Sequence, residues 1–193
     1  IKGAKKNKSP KAPYFQPLCY IDIIYNHKLN RDLQILSKVN FRQYWSKILD
    51  DLYRVSLAIS ILELTDKTIS DNDPHPLLFL TLQEVLKAFN NSLIDPKILF
   101  WFYECSLLNN LGFQPNLEDP KLSGLVLPNI KNDSSCIAVL STLLSGDMSQ
   151  LQKIKVSKKT SSLISNYLWS LIDYHFEGLS SIKSFKVVKK LLS

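Results

Sequence analysis

The sequence predicts an α+β fold in which a short β-rich segment over residues 1–40 precedes a larger all-α domain over residues 41–193. Apolar residues alternate with other residues before Asn40, as in a strand. After Asn40 they recur every three or four residues, as in a helix, and this change of period places the boundary between the two parts. The 45% hydrophobic content and the length of 193 residues suit a chain that buries a core and argue against a disordered one.

The β-rich segment holds two candidate strands. Alternation predicts the first strand over residues 14–25, and apolar residues indicate a second around 33–39, after a turn at Asn26–Lys28. Because two strands alone are marginally stable in water, we expect further strands before Lys2 to complete this module.

Helices are predicted throughout the second part of the chain. Asp95 followed by Pro96 is typical of an N-cap with proline at the first helical position, and the apolar residues 100–103 in that helix predict burial on every side. Residues 113–133 contain three prolines and are predicted to be irregular. The predicted helices cover residues 41–66 and 76–89, Pro96 to near Gly112, Ser134 (a candidate N-cap) to Gly146, Ser157 or Thr160 to about Glu177, and 181–192.

The net charge of +7 is distributed unevenly. Residues 1–50 carry 10 basic and 3 acidic side chains, residues 51–150 carry 6 and 12, and residues 151–193 carry 8 and 2. Two basic ends around an acidic middle are expected when only some surfaces meet a polyanion, although lysines that only keep a surface hydrated give the same pattern.

The sequence offers no pattern typical of a catalytic or metal site. His27, His75 and His175 are too far apart for a ligand pair, and the five glycines include no phosphate-binding loop. Cys105 falls within an apolar helix, where burial favours an inert thiol. We therefore predict a protein without enzymatic activity, cofactor or metal.

Cysteine usage and hydropathy indicate the compartment. Three widely spaced cysteines predict a reducing, intracellular environment rather than a disulfide framework. No apolar run approaches the ~20 residues that a membrane helix needs, so we expect no membrane association.

The opening segment combines lysines with aromatic residues. Five lysines without an intervening acid are followed directly by Tyr14 and Phe15. Lysines that neutralise phosphates beside rings that stack on bases are the ingredients of an oligonucleotide-binding (OB) barrel. For Tyr20 and Tyr25, ordinary packing within a strand is the favoured explanation. The five lysines are Lys2, Lys5, Lys6, Lys8 and Lys11.

Two further lysine clusters lie near the end of the sequence. One falls on a single face of the predicted helix 181–192, opposite mostly apolar residues. For both clusters, a solvated surface explains the pattern as well as a binding surface does. The clusters are Lys183, Lys186 and Lys190, and Lys153, Lys155, Lys158 and Lys159.

Short motifs follow one another in a definite order along nearly the whole chain. They are Lys2-Gly3-Ala4-Lys5-Lys6, Phe15–Leu18, Arg31–Leu36, Phe102-Tyr103-Glu104, Leu111–Leu117, Tyr174–Phe176 and Ile182–Ser184. Each motif alone is weak, but the ordered set resembles the RecO family of bacterial recombination mediators.

The resemblance implies an N-terminal OB-fold, incomplete over residues 1–40, and a RecO-like helical domain over 41–193. It implies a cytoplasmic, nucleoid-associated protein that binds single- and double-stranded DNA and anneals complementary strands. With RecR as a partner, such a protein helps to load recombinase onto gaps coated with single-strand-binding protein. The helical domain would engage the acidic, Phe-terminated tail of that coating protein.

The candidate DNA contacts follow from this implied function. The five opening lysines would contact phosphates, Arg31 and Lys38 would extend the track, and Tyr14 or Phe15 would stack on a base. Lys183, Lys186 and Lys190 complete the set.

The chain departs from the family pattern in two places. Many members carry paired CxxC zinc motifs after the Pro-x-Leu turn, whereas here residues 118–124 hold no cysteine and the next one is Cys136. We therefore expect no zinc and a segment held by packing. The family also has about two strands before the motif at Lys2, without which the barrel cannot close.

Two other functions are compatible with the sequence. An RNA-associated OB module would share the basic opening segment, and competition between DNA and RNA of equal length separates the two. A helical adaptor for protein partners would use its lysines only for solubility, so Ala at Lys5, Lys6 and Lys8 would leave DNA affinity unchanged.

Overall fold

The computed structural model describes residues 12–31, 33–91, 93–120, 122–176, 184 and 187–188. The chain divides into two units, Ile1–Ser46 and Lys47–Ser193. Strands lie in the first unit and most helices in the second, which agrees with the predicted α+β class. Most of the predicted helix 181–192 lies outside the described residues.

The first unit contains an antiparallel pair of strands, β1 (Tyr20–Asn26) and β2 (Ile35–Gln43). Ile21 pairs with Phe41 and Ile23 with Val39, so these apolar side chains share one face of the sheet. An OB barrel has five strands, and the described residues of this unit form two, so the barrel remains a prediction.

The strand predicted from residue 14 begins later than expected. A 3₁₀ helix at Ala12–Phe15 precedes it, and Leu18 then adopts a left-handed backbone conformation with φ of 63°. The extended strand therefore starts only at Tyr20. Pro13 and Pro17 fix the backbone of this stretch locally, which the alternation of apolar residues does not reveal.

The single helix predicted over 41–66 is wrong. Residues up to Gln43 belong to β2, and a short helix α1 (Ser46–Leu49) precedes α2 (Leu52–Thr68). Asp51 separates the two helices, because its carboxylate accepts hydrogen bonds from the first backbone N–H groups of α2, at 2.9 and 3.3 Å.

The second unit is organised around one central helix. Its longer helices are α2, α3 (Pro76–Asn91), α4 (Pro96–Asn110), α5 (Ser134–Leu144) and α6 (Lys158–His175), and 3₁₀ helices lie at Ile130–Asn132 and Met148–Lys153. Helix α4 packs against the other four, and every residue from Ile98 to Leu108 is buried. This confirms the predicted burial of residues 100–103.

Polar caps define the helix ends. The Asp95 carboxylate accepts a hydrogen bond from the Lys97 N–H at 2.9 Å, which confirms the predicted N-cap of α4. Asp133, rather than the predicted Ser134, caps α5 by accepting from the Cys136 N–H at 3.1 Å. Across the described ranges, every helix is too short or too polar to traverse a lipid bilayer.

Candidate nucleic-acid interface

Four of the predicted DNA contacts can be located. Tyr14, Phe15, Arg31 and Lys38 all belong to the first unit. The other predicted contacts lie outside the described residues; they are Lys2, Lys5, Lys6, Lys8, Lys11, Lys183, Lys186 and Lys190.

The aromatic residues of the first unit lie along its sheet. Tyr14 stacks on Phe41 with ring centroids 4.3 Å apart and planes inclined by 21°. Phe41, Ile23 and Tyr25 each leave about half of their surface exposed. The stack occupies one face of the Tyr14 ring, so only the other face is left for a nucleic-acid base. Phe15 is half-buried and lies next to Tyr14 in the 3₁₀ helix Ala12–Phe15.

The connection between β1 and β2 is closed by one glutamine side chain. The Gln34 amide oxygen accepts from the Lys28 N–H at 2.8 Å, and its nitrogen donates to the carbonyls of Lys28 (3.0 Å) and Arg31 (2.6 Å). These three bonds fix the backbone that carries Lys28 and Arg31 at the tip of the loop. Both side chains are exposed.

The cations of this unit differ in how they are paired. Arg42 forms an ion pair with Asp22 at 2.6 Å across the sheet, and this hydrogen bond raises its pKa. Lys28, Arg31 and Lys38 form no ion pair with a described carboxylate. The sequence predicts Arg31 and Lys38 as DNA contacts, whereas it indicates only a turn at Lys28.

The two units differ completely in net charge. Ile1–Ser46 contains nine basic and two acidic residues, and Lys47–Ser193 contains fifteen of each. The first unit therefore carries the whole net charge of +7. A surface of this kind attracts a polyanion at long range.

In the second unit, α4 ends in a turn that only glycine adopts readily. Gly112 has φ of 82°, its N–H donates to Asn109, and the Phe113 N–H donates back to Leu108 at 2.7 Å. The Phe113 ring then stacks on His175 of α6, with ring centroids 4.3 Å apart.

The stretch without cysteines after this turn is held by side-chain contacts. The Asn116 side chain accepts hydrogen bonds from the N–H groups of Glu118 and Asp119. The Tyr174 hydroxyl donates to the Ser123 carbonyl at 3.0 Å and ties the stretch to α6. Among the described residues, no group of three or more His, Cys, Asp or Glu side chains is placed to hold a metal ion.

A cavity of about 270 Å³ lies between this turn and α6. Its lining is mainly apolar, and one buried polar group, the Tyr167 hydroxyl, has no hydrogen-bond partner among the described residues. Burial raises the pKa of Tyr167 to about 12, so the hydroxyl keeps its proton. Burial lowers the pKa of His175, which is therefore neutral at pH 7. The lining residues used below are Phe113, Leu122, Leu127, Tyr167, Leu171 and His175.

Comparison with known proteins shows which proteins the chain resembles. Residues 49–126 match the family model for the C-terminal domain of recombination protein O, a range that includes α2, α3, α4 and the Gly112 turn. The chain is 25% identical over 201 residues to the DNA repair protein RecO of Desulforamulus reducens, an alignment that covers 91% of this chain and 76% of that protein. The chain is therefore similar to RecO proteins over most of its length, and its residues 49–126 resemble their C-terminal domain.

Other RecO proteins align over different shares of the chain. The RecO of Alkaliphilus metalliredigens is 22% identical over 98% of this chain and 85% of its own length. That of Exiguobacterium sibiricum is 31% identical over 65% of this chain and 49% of its own length. The chain therefore spans only about half of the length of some of the curated relatives it matches.

Proposed function

We propose that this chain is a DNA repair protein of the RecO family that binds single- and double-stranded DNA, mainly through its first unit. In this proposal it anneals complementary strands and works with RecR to load recombinase onto gaps coated with single-strand-binding protein. It performs no chemical step.

The observation that carries the proposal is the concentration of charge. All of the net charge of +7 belongs to the first unit, where Arg31 and Lys38 are exposed and form no ion pair with a described carboxylate. The half-exposed aromatic face of the sheet adds a surface on which bases can stack. The similarity to RecO proteins supports the same interpretation.

Annealing follows from charge alone in this mechanism. Two complementary strands repel each other through their phosphates, and a basic surface that binds both of them lowers this repulsion. Lysine and arginine contacts to phosphates do not depend on base sequence, so binding is expected to be nearly independent of sequence.

Replacing Arg31 and Lys38 together by Ala tests the proposal. We expect weaker binding of a fluorescent single strand and slower annealing of complementary oligonucleotides, because two phosphate contacts are lost. The matched control is Lys67→Ala with Lys87→Ala on α2 and α3, which removes the same charge from the second unit. Equal affinities and annealing rates for both variants would contradict the proposal.

We further propose that the 270 Å³ cavity takes the terminal aromatic ring of the tail of single-strand-binding protein. The apolar walls around Leu122, Leu127 and Leu171 suit such a ring. Asp119 also lines the cavity and opposes a carboxylate there. Protonation of His175 at acid pH would offset this repulsion.

Titration with the tail peptide, with and without its terminal Phe, tests this partner. Removing the ring is expected to abolish binding, and Leu171→Gln is expected to weaken it, while Lys67→Ala leaves it unchanged. Affinity is expected to rise as the pH falls through the lowered pKa of His175, because only the imidazolium attracts the tail carboxylate. Equal affinity for both peptides would contradict the assignment.

A further inference from the structure

The second unit carries a polar groove that the proposed function does not use. The groove has a volume of about 580 Å³ and lies between the 3₁₀ helix Ile130–Asn132 and the first turns of α6. Asparagine, lysine and serine side chains form most of its walls, and Leu163 is its one apolar lining residue. The polar lining residues are Asn129, Asn132, Asp133, Lys158, Lys159, Ser162 and Asn166.

Five lysines on or beside this groove form no direct ion pair with a carboxylate that the structure describes. Lys158 and Lys159 line the groove, and Lys131, Lys153 and Lys155 lie on the segments that lead into it. All five side chains are exposed, and none forms an ion pair within the part of the chain that the structure describes.

The one acid in the groove is already committed to internal hydrogen bonds. One Asp133 oxygen accepts from the Cys136 N–H at 3.1 Å, and the other accepts from the Thr160 hydroxyl at 3.0 Å. These bonds hold the pKa of Asp133 below its usual value, with a smaller contribution from Lys159. Asp133 therefore stays ionised, and two lysines outnumber it in the lining.

The walls present hydrogen-bonding groups at regular intervals. Lys158, Ser162 and Asn166 are spaced by four residues, so they follow one another along one side of α6. The start of α6 itself is occupied, because the Ser157 hydroxyl accepts from the Thr160 N–H at 3.1 Å. Recognition in this groove therefore depends on side chains rather than on the helix terminus.

We propose that this groove binds the phosphodiester backbone of a nucleic acid as a second contact surface, separate from the first unit. Lys158 and Lys159 would neutralise phosphates, and Ser162 and Asn166 would donate hydrogen bonds to phosphate or sugar oxygens. An acidic peptide anchored by an aromatic ring fits this groove less well, because Leu163 is its only apolar wall. The proposal rests on the proposed DNA-binding function and adds a second site to it.

The test compares four versions of the 193-residue chain, and it measures the salt dependence with which each binds a labelled oligo-dT strand. Losing two phosphate contacts is expected to make the slope of log affinity against log salt shallower by about 1.4. We expect this change for Lys158→Ala with Lys159→Ala, and no change for Lys158→Arg with Lys159→Arg. The remaining proteins are the wild type and the control Lys67→Ala with Lys87→Ala.

The outcomes separate the groove from the function of the whole chain. If the wild type binds and the alanine variant keeps its slope and affinity, the groove assignment is overturned while the proposed function stands. If the wild type does not bind the strand, both are overturned. If the alanine variant loses only the tail peptide of single-strand-binding protein, the groove is a protein interface and the proposal is again wrong. Thermal unfolding of each variant verifies that it is folded.

Discussion

At the scale of single residues, Glu104 is an acid in an environment that disfavours its charged form. It lies fully buried in the middle of α4, and burial raises the pKa of its carboxyl well above 4.5, although the Trp169 indole opposes this shift. A carboxyl in such a place is stable when protonated and costly when ionised. Sequence periodicity predicts the burial of this helix but gives no reason for an acid within it.

This burial predicts a pH-dependent stability. A raised pKa in the folded state contributes stability that is fully present below 4.5 and is lost as the pH rises through the raised value. Between those limits the free energy of unfolding should fall by up to about 1.4 kcal/mol per pH unit. Glu104→Gln should lack this fall and become the more stable protein at high pH. Urea unfolding from pH 4 to pH 9 measures the free energy of unfolding of the wild type and of Glu104→Gln. If the two free energies changed in parallel with pH, the prediction would be contradicted.

Gly112 allows a second prediction at this scale. A Cβ at this position would meet no atom within 4 Å, so the cost of Gly112→Ala comes from the left-handed backbone, with φ of 82°, alone. We expect a loss of about 1 kcal/mol in the free energy of unfolding. Gly112→Asn is the matched control and should lose less, since asparagine tolerates this conformation better. Chemical denaturation measures the difference, and an unchanged alanine variant would show that the turn has another conformation in solution.

At the scale of elements, the connection between β1 and β2 depends on Gln34. Gln34→Ala removes the acceptor of the Lys28 N–H and two further bonds to the loop backbone. We expect amide hydrogen exchange at Lys28 to accelerate about fivefold, consistent with the loss of roughly 1 kcal/mol of hydrogen bonding. Gln16→Ala, which removes a bond within a different turn, is the control and should leave this exchange rate unchanged. Unaltered exchange in the Gln34 variant would show that the loop is held by other contacts.

The elements also show where sequence patterns are sufficient. The starts of α3, α4 and α6 are marked by Pro76, by Asp95 and by Ser157, and the structure places these helices close to the predicted ranges. The predicted helix is wrong over residues 41–43, because Phe41 fits both the alternation of a strand with Val39 and the helical spacing of Trp45 and Ile48. Pairing of β2 with β1 decides the conformation there, and this pairing is not visible in a local pattern.

The candidate site is only partly predictable for the same reason. Arg31 and Lys38 can be recognised as charges in the sequence. The hydrogen bonds between the Gln34 side chain and the Lys28 backbone form only in the folded loop, so the sequence pattern does not reveal them. The cavity beside the Gly112 turn brings residues 112–127 against α6, about fifty positions later in the chain. Such long-range contacts come from helix packing, and neither periodicity nor spacing specifies them.

At the scale of the whole molecule, the two units are expected to contribute differently to binding. The first unit carries the entire net charge of +7, and the second is electrically balanced and built around a buried helix. Most of the attraction for DNA is therefore expected to come from the first unit. The second unit would contribute local contacts, at its polar groove and its apolar cavity.

The salt dependence of single-strand binding by the wild-type chain tests the central claim most directly. If cations of the first unit contact phosphates, log affinity should fall linearly with log salt, with a slope of about −0.7 for each phosphate contacted. Replacing Arg31 and Lys38 by Ala should make this slope less steep. An affinity that stays constant between low and moderate salt would contradict the account.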